Sequence, residues 1–282
     1  MHPNTIIVLG SLHYDILIQS DKIPSLGETV IANRWYPKLG GKGANQAVAL
    51  SKEVFNVKFV SAIGNDLFSE FLTAKLKEHK ISLDYILKIN GSSGMSVAIS
   101  NKDGDYSAIV ISGVNLKISK NIMLSDKLWE NTSFLMIQNE IPEEINISAV
   151  KEAKKRNVNV FLNAAPAKKI NNKLYDFIDI LLVNEIESKQ IFEDNNKDFK
   201  YIAKELTKKV PRVIITLGPK GVVICEKNKL PEHINAHLVK VKSAHGAGDY
   251  FAGKFISEYI ETNDFQKSVT IANKKTSEFI SS

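Results

Sequence analysis

Lys242-Ser243-Ala244-His245-Gly246-Ala247-Gly248-Asp249-Tyr250-Phe251-Ala252-Gly253 is the stretch on which the reading of this chain turns. A turn of small residues carrying Gly246 and Gly248 runs straight into an aspartate. Beyond it, Phe251, Phe255, Ile256, Tyr259 and Ile260 recur at the spacing of one helix face. A glycine turn that opens a helix leaves backbone N–H groups without helical partners, and the helix dipole adds partial positive charge there. Both favour an anion such as a phosphate. A carboxylate at Asp249 is out of place beside an anion site unless it takes a proton from a hydroxyl while Gly246, Ala247 and Gly248 hold the moving charge. The plainer alternative is a capped helix start, since short glycine motifs also occur by chance.

Composition narrows the class. The chain has 282 residues, of which 44% are hydrophobic, enough for a full core in one large α/β unit. No apolar run approaches the roughly 18 residues of a membrane span, and the first ten residues read as a strand, not as a signal peptide. The single cysteine, Cys225, lies in an apolar run and excludes an internal disulfide. These features lead to the expectation of a cytoplasmic enzyme. The net charge of +6 comes from scattered lysines, which argues for solvated faces and against a nucleic-acid stripe.

Apolar runs alternate with helical patterns along most of the chain, the rhythm of a parallel sheet covered by helices. Strands are expected at 5–10, 57–63, 133–138, 158–163, 178–183 and 212–216, with helices at 66–78 and 142–156. Residues 30–36, 96–100 and 106–111 break the rhythm. The last two flank Asn101-Lys102-Asp103-Gly104-Asp105, which has hairpin turn chemistry. A small β-sheet lid, with strands from about 14–36 and 95–111, is the expected use of these segments. It is also a candidate surface for pairing two copies as a homodimer. Asp15, Glu140 and Asn184 stand at or just past strand ends, where α/β sheets bind ligands. Read as ordinary residues, Asp15 would be a turn aspartate, Glu140 a loop glutamate, and Asn184 with Glu187 a helix start.

A second glycine stretch, Leu39-Gly40-Gly41-Lys42-Gly43-Ala44-Asn45-Gln46-Ala47, also runs into a helical pattern. Its glycines let backbone approach a ligand, and Asn45 offers a donor and an acceptor to a sugar diol. It could equally be a glycine-rich helix start with Lys42 in water. No Gly-x4-Gly-Lys-Ser/Thr occurs, so a P-loop nucleotide site is disfavoured.

The two glycine stretches, in this order, resemble the two signature regions of the PfkB carbohydrate kinase family, in its ribokinase-like branch. The likeness runs through nearly the whole chain. It includes Gly10-Ser11 with Asp15, Asn163-Ala164-Ala165-Pro166-Ala167, Asn184-x-x-Glu187 and Thr216-Leu217-Gly218-x-x-Gly221. The resemblance implies a ribokinase-like three-layer sandwich, spanning residues 1–282 as one kinase domain. It also implies transfer of the γ-phosphoryl group of ATP to a sugar hydroxyl, with O5 of ribose the expected acceptor. A nucleoside or another carbohydrate is the alternative substrate, and a catalytically weak sugar-binding protein is the alternative from a different class. Carried over by motif, Asp249 is the base, and Asp15, Gly41, Lys42, Asn45 and Glu140 contact the sugar. Thr216, Gly218 and Gly221 lie along the nucleotide. Asn184 and Glu187 serve Mg²⁺ and phosphate through water, with Asn273 near the adenine. His245 is a candidate phosphate contact. The sequence departs from the pattern in two places. Ser243-Ala244-His245 stands where the family often has Asp-Thr-Thr, which puts an activating K⁺ in doubt. The chain also runs only to Ser282, short of the usual last helix and strand.

Overall fold

Thr5–Leu9 is buried along its whole length, with Ile7 and Leu9 in one hydrophobic core and Ile6 and Val8 in another. A strand apolar on both faces belongs in the middle of a sheet covered on both sides. The computed structural model, which describes residues 5–53, 56–101, 106–194, 196–244 and 246–282, places it there.

In chain order the described strands are β1 Thr5–Leu9, β2 His13–Gln19, β3 Arg34–Gly40, β4 Asn56–Ile63, β5 Ile86–Lys88, β6 Gly94–Ser100 and β7 Tyr106–Ile111. After them come β8 Thr132–Gln138, β9 Asn159–Asn163, β10 Ile180–Asn184, β11 Arg212–Thr216, β12 Val222–Glu226 and β13 Glu232–Ile234. The α-helices are α1 Lys42–Ser51, α2 Phe68–Glu78, α3 Asp126–Trp129, α4 Glu143–Lys155, α5 Asn172–Tyr175, α6 Glu185–Phe192, α7 Phe199–Leu206, α8 Ala247–Thr262 and α9 Phe265–Ser281.

The large sheet runs β13-β12-β11-β10-β9-β8-β1-β4-β5. Its pairs from β11 to β5 are parallel, and β12 and β13 close one edge antiparallel. Side chains of α4, α6 and α7 fill the core on one face. Those of α1, α2, α8 and α9 fill the core on the other, so the layers are helix, sheet, helix. In the second core Phe255 meets Phe161 at 5.8 Å, Tyr259 at 5.6 Å and Phe265 at 5.8 Å between ring centroids. Burying one such ring contributes about 1.5–3 kcal/mol, and this cluster fixes α8 against the sheet. No helix among the described residues is long and apolar enough to cross a membrane.

Strand order reverses at β1. From β1 the chain builds outward through β4 and β5, then returns to place β8 on the other side and continues away through β9, β10 and β11. The C-terminal ends of β1 and β8 therefore flank a crevice, the position where open α/β sheets take ligands.

The four remaining strands form the separate sheet β3-β2-β6-β7. This is the expected lid, with two differences. Residues 30–33 are irregular, with 31–33 exposed, and the strand expected at 30–36 runs instead from Arg34 through Gly40. Pro37 is tolerated because β3 is an edge strand and its missing N–H breaks no inner ladder. Asp15 is not a turn residue: it lies within β2, opposite Lys38 of β3 and Ser96 of β6. The hairpin turn expected at 102–105 lies outside the described residues.

Candidate active site

Gly10 and Ser11 follow β1, and Asn139 and Glu140 follow β8, so the crevice at the switch point is edged by polar groups. Ser11 Oγ donates to Glu140 Oε2 across it. The same Glu140 oxygen accepts the Lys42 backbone N–H, the first of α1, at 2.9 Å. A carboxylate at a helix N-terminus offsets its dipole and its orphan N–H groups, so Glu140 seats the glycine-rich stretch on the sheet. Gly41 lies just before that helix at φ +88°, where a Cβ would sit 2.7 Å from Ser11 O. Only glycine meets both demands.

α1 then carries Asn45 and Gln46 toward α8. Asn45 Nδ2 donates to Asp249 Oδ2 at 3.2 Å, and Gln46 Nε2 donates to Asp249 Oδ1 at 3.1 Å. The two glycine stretches, 204 residues apart in sequence, are thus joined at the Asp249 carboxylate. One turn further along α8, Gly253 lets the two helices touch: a Cβ there would lie 2.6 Å from Ala49 Cβ and 3.4 Å from the Leu50 N. Gly253→Val should push α8 off α1 and carry Asp249 out of reach of Asn45. A misplacement of about 1 Å costs on the order of 10²-fold in rate. A Gly253→Val enzyme that folds and retains full kcat in steady-state assays would contradict this packing argument.

Asp249 is buried, and burial pushes its carboxyl above the ordinary aspartate range. Glu140 adds to the rise, while Lys42, Gln46 and Asn45 oppose it. On the lid, Asp15 is also pushed up by burial, against a hydrogen bond from Ser96 Oγ at 2.6 Å. Burial likewise pushes the Lys38 ammonium down, with Asp15 and Asp249 acting the other way. Asp15, Lys38 and Ser96 thus share one face of the lid, near enough to the crevice that Asp15 feels the charge of Glu140 and Lys38 that of Asp249.

The other half of the site is a cleft of ≈ 770 Å³ beyond the ends of β10 and β11. Asn184, Lys189, Thr216, Gly218, Pro219 and Gly248 are among its lining residues. Gly248 belongs to both halves, since Asp249 follows it. Gly246 opens α8 at φ +80°, and the Ala247 N–H already donates to Ala244 O at 3.2 Å. Gly248, next in the helix, lines the cleft.

The expected sugar group, Asp15, Gly41, Lys42, Asn45 and Glu140, gathers around the crevice with Asp249. The expected nucleotide group divides. Asn184, Thr216 and Gly218 line the cleft, but Gly221 and Asn273 are not among its described lining residues. Gly221 closes a turn, its N–H donating to Gly218 O at 3.0 Å, and Asn273 Nδ2 donates to Asn235 O at 2.9 Å. Asn184 and Glu187 form a capping box at the start of α6: Asn184 Oδ1 accepts from the Glu187 N–H and Glu187 Oε2 from the Asn184 N–H, both at 2.8 Å. His245 lies outside the described residues. Sequence reasoning passed over Lys38, Ser96 and Gln46. The first two become visible only once β2 is recognised as the strand between them. Gln46 stood in the quoted motif, at the position after Asn45.

The family model described as pfkB family carbohydrate kinase matches residues 3–281. The ribokinase of Lactococcus lactis is 32% identical over 270 residues, covering 94% of this chain and 87% of its own. That of Arabidopsis thaliana is 30% identical over 282 residues, covering 96% and 74%. The solved structure of Arabidopsis thaliana ribokinase complexed with ribose and ATP superposes with a TM-score of 0.87 at 29% identity, covering 99% of this chain and 93% of that one. With a match of this length lying over a sheet, lid and crevice of the same kind, the chain belongs to the pfkB family of carbohydrate kinases.

Proposed function

We propose that the protein transfers the γ-phosphoryl group of ATP to a sugar hydroxyl, with O5 of ribose as the acceptor. The observation that carries this reading is the placement of Asp249. It is a buried carboxylate held by Asn45 and Gln46 where a polar crevice meets the cleft at Gly248. The curated relatives named ribokinase and the related structure holding ribose and ATP support the choice of substrates.

In this reading Asp15, Asn45 and Glu140 hold the sugar hydroxyls, and the lid excludes water that would otherwise compete for the phosphoryl group. The acceptor O–H bond breaks as its proton passes to Asp249. The sugar oxygen bonds to the γ-phosphorus while the bond from that phosphorus to the bridging oxygen breaks, and ADP leaves. Positioning and electrostatics carry such a transfer, with Gly248 at the positive end of α8 beside the migrating charge.

The side chains present fit a Mg²⁺ held chiefly by phosphate oxygens and water. No cluster of three potential ligands occurs among the described residues. One oxygen of Glu187 and that of Asn184 are committed to the capping box, so these residues would serve a metal through water. When bound, Mg²⁺ supplies charge neutralisation on the phosphates. We also propose that two copies pair through their lids. The face opposite Asp15 is apolar, and on it Trp35 is 62% and Ile109 72% exposed. Sedimentation velocity should give a dimer, and Ile109→Glu should give a monomer; a monomeric wild type at micromolar concentration would refute the pairing.

ADP release with Mg-ATP across a panel of sugars and nucleosides, with and without K⁺, tests the substrate assignment. Strong turnover on ribose is expected. Turnover confined to nucleosides would replace ribose, and ribose binding without ADP release would point to a sugar-binding protein.

A further inference from the structure

Asp249 ends a chain of buried amides. Gln46 Nε2 donates to its Oδ1 at 3.1 Å, Gln138 Nε2 donates to Gln46 Oε1 at 2.7 Å, and Asn146 Nδ2 donates to Gln138 O at 2.7 Å. Gln46 and Gln138 are fully buried and Asn146 nearly so. Two glutamines in a core built from aliphatic and aromatic side chains are costly unless their polar groups are engaged. The chain is nevertheless incomplete: Gln138 Oε1 and Asn146 Oδ1 are buried without a hydrogen-bond partner among the described residues. Gln138 Oε1 lies where a Cβ on Gly10 would be, 1.9 Å away, so the end of β1 is shaped to admit it.

The direction of the chain follows from the carboxylate. An ionised Asp249 only accepts, so it draws the NH₂ of Gln46 toward itself. Gln46 must then show its oxygen to Gln138, which turns its own NH₂ inward and leaves its oxygen without a donor. The observed arrangement satisfies Asp249 first and leaves Gln138 Oε1 as the orphan.

We infer that Gln46 and Gln138 are positioning residues of the phosphoryl transfer, a one-way amide chain that fixes Oδ1 of Asp249 and leaves Oδ2, shared with Asn45, to take the acceptor proton. Gln138 touches neither crevice hydroxyls nor cleft. It acts through Gln46, and the inference rests on the proposed role of Asp249 as base. The other charged groups that face Asp249 are Lys42 of α1, Lys38 of β3, Glu140 after β8 and Glu187 of α6, and none is altered by changing Gln138.

Gln138→Met keeps the length and burial of the side chain and removes both amide groups. The expected result is a fall in kcat of about 10- to 100-fold, with the KM for sugar and for ATP within about threefold of wild type. The acid limb of kcat/KM should move to higher pH, because Gln46, no longer held by Gln138, donates less well to Asp249, and a carboxylate with a weakened donor binds its proton more tightly. On an Asp249→Asn background the same change should have no further effect on kcat. A merely structural glutamine would lower the melting temperature and leave the acid limb in place. A folded Gln138→Met enzyme with wild-type kcat and an unmoved acid limb overturns the inference while leaving Asp249 as base. An Asp249→Asn enzyme with full turnover overturns the base itself. Should Gln138→Met not fold, Gln46→Met cuts the same chain next to the carboxylate, and the same two readouts decide.

Discussion

Asp249→Asn is expected to lower kcat by about 10²- to 10⁴-fold, the usual contribution of a positioned general base, with the KM for sugar and ATP little changed. The substitution is nearly isosteric and removes proton acceptance, at the cost of turning one of the two amide donors, Asn45 or Gln46, to face the new NH₂ with its oxygen. Burial pushes the Asp249 carboxyl up, and the pH dependence follows from that direction. In the wild type the acid limb of kcat/KM should lie above the roughly 4 of an ordinary aspartate and vanish in Asp249→Asn. Stability moves the opposite way. A carboxyl whose folded pKa exceeds its unfolded value stabilises the fold below the unfolded pKa, and that contribution is lost as pH rises through the folded pKa. Once the pH has risen through the folded pKa, the ionised Asp249 is a burden on the fold, and there Asp249→Asn should melt no lower than wild type. Thermal melts as a function of pH beside steady-state kinetics would show both. An inactive variant that melts well below wild type would instead mean that Asp249 is chiefly structural.

Asp15→Ala should act on the sugar and not on ATP. Asp15 is buried in the lid strand β2, held by Ser96, with Lys38 opposite. In the proposed role Asp15 accepts two sugar hydroxyls at about 1.5–3 kcal/mol for each bond, so its loss should lower kcat/KM for the sugar by about 10²- to 10⁴-fold. The effect should fall mostly on KM, with the KM for ATP within about threefold, because the nucleotide cleft lies beyond β10 and β11. Equal losses for both substrates in initial-rate kinetics would mean that Asp15 supports the lid and not the sugar.

The sheet was legible because its central strands carry runs such as Ile6-Ile7-Val8-Leu9 that no exposed segment tolerates, and 212–216 coincides with β11. The lid was half legible. In His13–Gln19 the polar His13, Asp15 and Gln19 share a face with Leu17 and alternate with Tyr14, Ile16 and Ile18, so the strand resembles a ligand-bearing loop. The start of β3 was misplaced because Val30 and Ile31 have strand-like side chains, yet nothing pairs them into the lid. Within the site, the glycine motifs singled out Asp249 and Asn45, which the fold brings into contact. The motifs gave no sign that Gly221 closes a turn with Gly218 or that Asn273 donates to Asn235 O, since both depend on where residues 234–236 pass. Gln138 was invisible for a related reason: its partner Gln46 is 92 residues away, and only the fold brings the two together.

The most direct test of the central claim is the phosphorus NMR spectrum of the product made from Mg-ATP and ribose. The account predicts a new phosphomonoester signal split into a triplet by the two protons of C5, formed in step with ADP and absent with Asp249→Asn. A doublet would place the phosphate on a ring carbon bearing one proton and reject O5. ADP accompanied only by inorganic phosphate would contradict sugar phosphorylation altogether.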